Sequence, residues 1–215
     1  MKLPNKALYA ISPEFENDAA LFEWAAEIVG AGCPILQYRD KTHAAPQKMI
    51  RAKKLREITA AKNTILIIND SVLLALKSGA DGVHLGRDDG SLFLARQILG
   101  ETKIIGISCY ASLETARRAE KMGADYVAFG AVFSSITKPN AESVALSKIA
   151  LAKMALQIPV CAIGGITPQN AAEVLQSGVN FLAVSNALLE NPRSTAIFFQ
   201  NLWKGEKNGN ESSTF

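Results

Sequence analysis

The chain has 215 residues, 48% hydrophobic and 20% charged, a balance that fits one soluble globular domain with a sizeable core and excludes a disordered or membrane-spanning chain. Its formal charge of +3 comes from basic residues scattered along the sequence, which argues against a nucleic-acid footprint and leaves local cations for a small anionic ligand. Cys33, Cys109 and Cys161 are an odd set without a C-x-x-C pair, so a disulfide framework and a zinc knuckle are not expected; with no apolar leader between Met1 and Tyr9 and no run near the ~18 residues of a membrane span, the expected compartment is the reducing cytoplasm.

The first short apolar run, Ala7 to Ile11, is followed by a helical pattern from Ala19 to Val29. The second, Ile35 to Tyr38, passes into Gln37-Tyr38-Arg39-Asp40-Lys41. Gln37, Arg39 and Lys41 stand at i, i+2 and i+4, on one side of an extended segment, and can point together into one mouth. For Lys41 alone a water-facing strand end is the better reading; for Gln37 and Arg39, beside Ile35 and Leu36, unpaired buried polarity would be costly. A helix from Pro46 to Ala61 leads to the third run, Ile65 to Ile68, which ends in Asn69-Asp70. The fourth, Gly82 to Leu85, carries His84 and ends near Arg87-Asp88-Asp89. Carboxylates after neighbouring strands supply the hard oxygens that suit Mg²⁺. Asp70 or Asp88 taken singly is equally well read as the cap of the next helix.

A helix from Leu92 to Leu99 precedes the fifth run, Ile104 to Ile107, after which come Ser108 and Cys109. Ser112 can cap the helix from Leu113 to Lys121. The sixth run, Tyr126 to Phe129, leads into Phe133-Ser134-Ser135-Ile136-Thr137-Lys138, an ordinary Ser/Thr turn or a set of donors for phosphate oxygens. The seventh, Pro159 to Ile163, gives way to Gly164-Gly165 and then Thr167-Pro168, an N-cap residue with proline at the first position of a helix from Pro168 to Gln176. The eighth, Phe181 to Val184, is followed by Ser185-Asn186 and a helix from Ser194 to Trp203. From Lys204 to Phe215 the chain turns polar and is expected to be a tail without fixed structure. Gly30, Gly32, Gly79, Gly100, Gly123 and Gly178 fall near helix ends, where a left-handed residue is commonly glycine.

Apolar runs without clean alternation, separated by helices, predict parallel strands covered on both faces and joined by right-handed crossovers. Eight such units predict an α/β fold, a single closed (β/α)₈ barrel over residues 1–203; an open doubly wound sheet ranks second, because no dinucleotide fingerprint is present. The active face of such a barrel is the carboxyl end of its strands, and the loops after strands seven and eight are its usual phosphate cradle. His84, inside a strand, reads as a hydrogen-bonded structural histidine, and His43 as part of a solvated loop. Cys109 reads as a small buried thiol, and no nucleophilic cysteine is assigned.

Leu8-Tyr9-Ala10-Ile11, Gln37-Tyr38-Arg39-Asp40-Lys41, Ile67-Ile68-Asn69-Asp70, Asp81-Gly82-Val83-His84-Leu85-Gly86, Ile105-Gly106-Ile107-Ser108, Thr137-Lys138 and Ala162-Ile163-Gly164-Gly165-Ile166 together resemble the thiamine-phosphate synthase family, in family order and over nearly the whole barrel. The resemblance implies that Gln37, Arg39 and Lys41, with Asn69, meet a pyrimidine and its pyrophosphate, and that Asp70 and Asp89 hold Mg²⁺. It implies that Ser108 and Lys138 touch the pyrophosphate, while Ser135, Thr137, Gly165, Val184 and Ser185 serve the thiazole phosphate. Arg39, Lys41 and Lys138 would carry catalysis by neutralising charge on the leaving pyrophosphate. The sequence departs from the family at Arg87, where Gln is usual, and at Ser134-Ser135, which replaces Pro-Thr. A thiazole tautomerase of similar barrel and a non-catalytic phosphate-binding barrel are the alternatives. A homo-oligomer is compatible with the sequence, while nucleic-acid and membrane partners are not expected.

Overall fold

The structure is a computed structural model describing residues 2–133 and 143–209. Eight parallel strands pair in sequence order: β1 (Ala7–Ile11), β2 (Ile35–Tyr38), β3 (Ile65–Asn69), β4 (Gly82–Leu85), β5 (Ile104–Tyr110), β6 (Tyr126–Phe129), β7 (Val160–Ile163) and β8 (Phe181–Val184). β8 returns to β1 with Ala7 opposite Phe181 and Ala10 opposite Val184. The sheet is therefore a closed barrel, as expected, and among the described residues no strand edge is left to aggregate.

Alternation along the strands divides the apolar residues between two layers. Tyr9, Ile35, Ile67, Ile104, Tyr126 and Phe181 fill the barrel lumen. Leu8, Leu36, Leu66, Val83, Ile105 and Val127 face outward, where the helices cover them. The helices are α1 (Asp18–Gly30), α2 (Ala45–Ala60), α3 (Val72–Ser78), α4 (Leu92–Leu99), α5 (Leu113–Lys121), α6 (Leu146–Ala155), α7 (Ala171–Leu175) and α8 (Pro192–Gly209). Several begin on side-chain caps that satisfy otherwise orphaned backbone donors: Asn17 accepts from the Ala20 amide, Ser71 from Leu74, and Ser112 from Thr115. Among the described residues no helix is long and apolar enough to cross a membrane.

Four local expectations change. β5 runs to Tyr110, past Ile107, and so takes in Ser108. Helix α7 starts at Ala171 and not at Pro168, because the Asn170 side chain accepts from the Thr167 amide and donates to the Gly165 carbonyl, closing a turn ahead of the helix; Thr167 is no side-chain cap. Helix α8 continues through Gly209, beyond the expected end at Trp203. Gly30 lies within α1 in ordinary helical conformation, whereas the other five helix-end glycines have positive φ.

Candidate active site at the carboxyl ends of the strands

The lumen positions that alternate with the apolar layer become polar or small at the carboxyl ends of the strands. Gln37 stands two residues beyond Ile35, Asn69 two beyond Ile67, and Ser185 two beyond Ala183. These three, with Arg39, Ser108 and Gly165, line one cavity of about 420 Å³. Six of the site residues expected from sequence are thus brought together. Ser135, Thr137 and Lys138 lie outside the described residues. Val184 is placed differently: its side chain is packed in the strand–helix layer, leaving only its backbone to face a ligand.

Lys41, Asp70 and Asp89 stand at the rim beside this cavity. Lys41 donates to Asp70 Oδ2 in an ion pair, and Asp89 Oδ2 accepts from the Gly86 amide at 2.7 Å. The two carboxyls face each other. Burial by itself pushes Asp70 up, but hydrogen bonds from Lys41 and Asp89 outweigh it and hold Asp70 below the usual carboxylate range. Asp89 goes the other way, raised by burial and by its hydrogen bond to Asp70. Two apposed acidic side chains from adjacent strands are a fitting donor set for Mg²⁺, which takes one or two carboxylates and completes its shell with water and phosphate oxygens. Among the described residues there is no cluster of three such ligands. Neither Asp70 nor Asp88 is the cap of the helix that follows it: the N-cap of α3 is Ser71 and that of α4 is Ser91.

The segment bearing Arg39 and Lys41 is held from several directions. Ser12 Oγ accepts from the Arg39 amide at 2.9 Å and donates to the Arg39 carbonyl at 3.0 Å. Glu14 pairs with the Arg39 guanidinium at 2.7 Å and accepts from the Lys41 amide. Asp40, between the two cations, turns away from the cavity: its side chain is only 3% exposed and accepts from Tyr38 Oη at 2.7 Å and from Arg51 at 3.1 Å. His43 lies in an irregular segment between exposed Thr42 and Ala44, a solvated loop as expected, with its ring held against Asp40 and Arg51 at 3.1 Å from each. His84 is hydrogen-bonded inside its strand as expected, to Tyr126 and Ser108. All three cysteines are buried free thiols, and burial pushes the Cys109 thiol up to about 12, so none is an activated nucleophile.

On the opposite side of the cavity, Gly164 and Gly165 both have positive φ, exposing backbone where side chains would otherwise stand. A single 3₁₀ turn, Asn186–Leu188, follows Ser185, and Asn186 also lines the cavity. Loops after strands seven and eight with a short extra helix form the usual anion cradle of this barrel.

Tyr110 and Glu14 are site residues missed by sequence reasoning. A β-bulge between Ser108 and Tyr110 shifts the register against β6, and Tyr110, at φ 53°, turns its ring to the cavity, with the Arg87 guanidinium 4.8 Å above it. A stretch continuing two residues past Ser108 with the same parity was the available signal for Tyr110. Glu14 lies in an irregular segment and left none.

A family model described as Thiamine monophosphate synthase matches residues 8–188. The chain is 45% identical over 188 residues to the thiamine-phosphate synthase of Methylococcus capsulatus, covering 87% of this chain and 84% of that one. To the thiamine-phosphate synthase of Chromobacterium violaceum it is 45% identical over 185 residues, covering 86% and 89%. Among solved structures, the thiamine phosphate pyrophosphorylase from Pyrococcus furiosus superposes with a TM-score of 0.84 at 32% identity, over 94% of this chain and 97% of that one.

Proposed function

This chain belongs to the thiamine monophosphate synthase family, and we propose on that basis that the cavity described above joins a pyrimidine pyrophosphate to a thiazole phosphate with the help of Mg²⁺. The protein is a transferase that forms thiamine phosphate and releases pyrophosphate. Bond changes are few: the methylene carbon–oxygen bond to pyrophosphate breaks, leaving a cation delocalised into the aminopyrimidine, and the thiazole nitrogen attacks that carbon. No proton must move, and no protein nucleophile is needed.

Gln37 and Asn69 face the pyrimidine, while Arg39 and Lys41 neutralise charge as it develops on the departing group; Lys138 and Ser108 would assist there. Fixed charge aimed at a developing anion is commonly the largest single contribution to a rate enhancement. Asp70 and Asp89 would hold Mg²⁺, which when bound supplies Lewis-acid stabilisation to phosphate oxygens. Gly165, Ser185 and the backbone at Val184 serve the thiazole phosphate, together with Ser135 and Thr137.

The observation that carries this reading is the arrangement around Asp70, in which Lys41 and Asp89 converge on one carboxylate beside the cavity. A thiazole isomerase or a passive phosphate binder has little use for a cation and two apposed carboxyls at that rim. The test is pyrophosphate release with both substrates and Mg²⁺ present, with each of the three omitted in turn.

A further inference from the structure

The cavity floor is backed by an unbroken line of polar side chains contributed by five strands. Gln37 Nε2 donates to Tyr9 Oη at 2.8 Å, and Tyr9 Oη meets Tyr126 Oη at 2.7 Å. Tyr126 Oη then meets His84 Nδ1 at 2.9 Å, and His84 Nε2 meets Ser108 Oγ at 2.8 Å. Gln37 and Ser108, at its two ends, line the cavity; Tyr9 and Tyr126 do not, being 1% and 0% exposed. Both phenols sit deep in the lumen, where burial raises their pKa far above the ordinary range and keeps them neutral. The rings are also fixed by packing: His84 stacks on Tyr126 with centroids 5.5 Å apart, and Tyr9 meets Tyr126 edge-on at 5.7 Å. Room for Tyr126 comes from Gly106 on the neighbouring strand, where a Cβ would stand 2.0 Å from the tyrosine Cζ.

Donor counting gives this line a direction. The amide nitrogen of Gln37 can only donate, so Tyr9 oxygen accepts, and since the buried Tyr9 hydroxyl has only Gln37 and Tyr126 as partners among the described residues, its hydrogen is satisfied only on Tyr126. Tyr126 then donates to His84 Nδ1, which must be unprotonated, so the neutral imidazole carries its hydrogen on Nε2 and gives it to Ser108 Oγ. The Ser108 hydrogen is left over for a ligand. If the Gln37 amide were turned round, every hydroxyl would reverse, and the Ser108 hydrogen would be consumed by His84. Bonds in such a chain reinforce one another, so the two orders compete as wholes.

We propose that Tyr9, Tyr126 and His84 are positioning residues that tie the amide orientation of Gln37 to the hydroxyl orientation of Ser108. In the order present here Gln37 offers its oxygen to a hydrogen-bond donor at one end of the floor, and Ser108 offers its hydrogen to an anion at the other. This is the polarity of an aminopyrimidine carrying a pyrophosphate, and the inference rests on the function proposed above. Recognition of the amino group at one end then presets the donor that meets the leaving group at the other.

The chain has two histidines, so ¹⁵N-histidine labelling, with His43→Ala for assignment, reads the His84 tautomer directly at a pH well above the ordinary imidazole and carboxyl values. The expected state is Nε2–H in the parent, shifting toward Nδ1–H in Gln37→Glu, whose carboxylate can only accept, and losing its bias in Gln37→Leu. In the same proteins Tyr126→Phe and Tyr9→Phe should fold, lower kcat by about tenfold, the scale of one net hydrogen bond, and leave KM for thiazole phosphate within about twofold. An Nδ1–H tautomer in the parent, or a tautomer indifferent to both Gln37 variants, overturns the directed line. Parent-level kcat in both tyrosine variants overturns the positioning role. A parent protein without pyrophosphate-releasing activity sinks the proposed function instead, with the tautomer reading left standing as a separate result.

Discussion

Asp70 and Asp89 reach one another from the segments that follow β3 and β4, and under the proposed function both hold Mg²⁺ through their negative charge. Changing either to Asn keeps the shape and removes one negative charge, so the fold should survive while Mg²⁺ binds more weakly. Turnover should fall by about 10- to 100-fold or more, the scale on which a metal site loses activity when its support is removed, with partial recovery at excess Mg²⁺. Asp88 is the control: it is exposed and Asp88→Asn should be milder. Turnover measured against Mg²⁺ concentration for the three variants, with thermal unfolding alongside, checks this. Unchanged Mg²⁺ dependence in folded Asp70→Asn and Asp89→Asn would remove the metal assignment. At this scale the sequence was readable wherever the period of two applied. Gln37, Asn69, Ser108 and Ser185 follow apolar lumen residues at even spacing and all face the cavity. The same parity puts Val184, between Ala183 and Ser185, on the outer face. Tyr110 was harder, because nothing local marks a bulge with an aromatic residue at positive φ.

One buried side chain ties the elements α1 and α2 to the segment after β2. Arg51 of α2, 2% exposed, donates from Nε to Asp18 at the start of α1 at 2.7 Å and from Nη1 to Asp40 after β2 at 3.1 Å, and two of its other hydrogens reach the carbonyls of Phe15 and Glu16. The hydrogen bond from Arg51 holds Asp18 below the usual carboxylate range. Burial pushes Asp40 up, but donation from the His43 amide, Tyr38 and Thr42 outweighs it and leaves Asp40 well below that range. A depressed folded-state pKa contributes stability that is present above the unfolded value of roughly 4 and lost as pH falls toward the folded one. Thermal midpoints should therefore hold level down to about pH 4 and drop below it. Asp18→Asn should lie beneath the parent above that pH and converge on it in stronger acid. Parallel curves for the two proteins across the whole range would show that the Arg51–Asp18 pair adds nothing. The strands were legible as to type and order, since apolar runs of four or five residues are too short for an ordinary helix. The ends of helices were not: α7 loses a turn to the side-chain bonds of Asn170, a tertiary effect that propensity does not carry.

For the molecule as a whole, closure of eight strands brings residues as far apart in sequence as Gln37 and Ser185 to one cavity, and eight repeated strand–helix units announced that closure in the sequence. The position of the candidate site was legible for a different reason, while the chemistry proposed for it came from the family resemblance. Loops at one end of a closed barrel must converge, so polar residues after each strand form a single site without any local motif being decisive. What alternation could not supply was the second layer behind the floor, where Tyr9 and Tyr126 read as ordinary lumen aromatics until their hydroxyls were seen to meet. If this site joins two substrates and expels pyrophosphate with a divalent cation, pyrophosphate release from the purified protein supplied with pyrimidine pyrophosphate, thiazole phosphate and Mg²⁺ reads it out. The expected result is release, with matching formation of thiamine phosphate, only when all three are present, abolished by a chelator and restored by added Mg²⁺. Release that persists without the thiazole phosphate or after chelation, or no release with everything supplied, would contradict it.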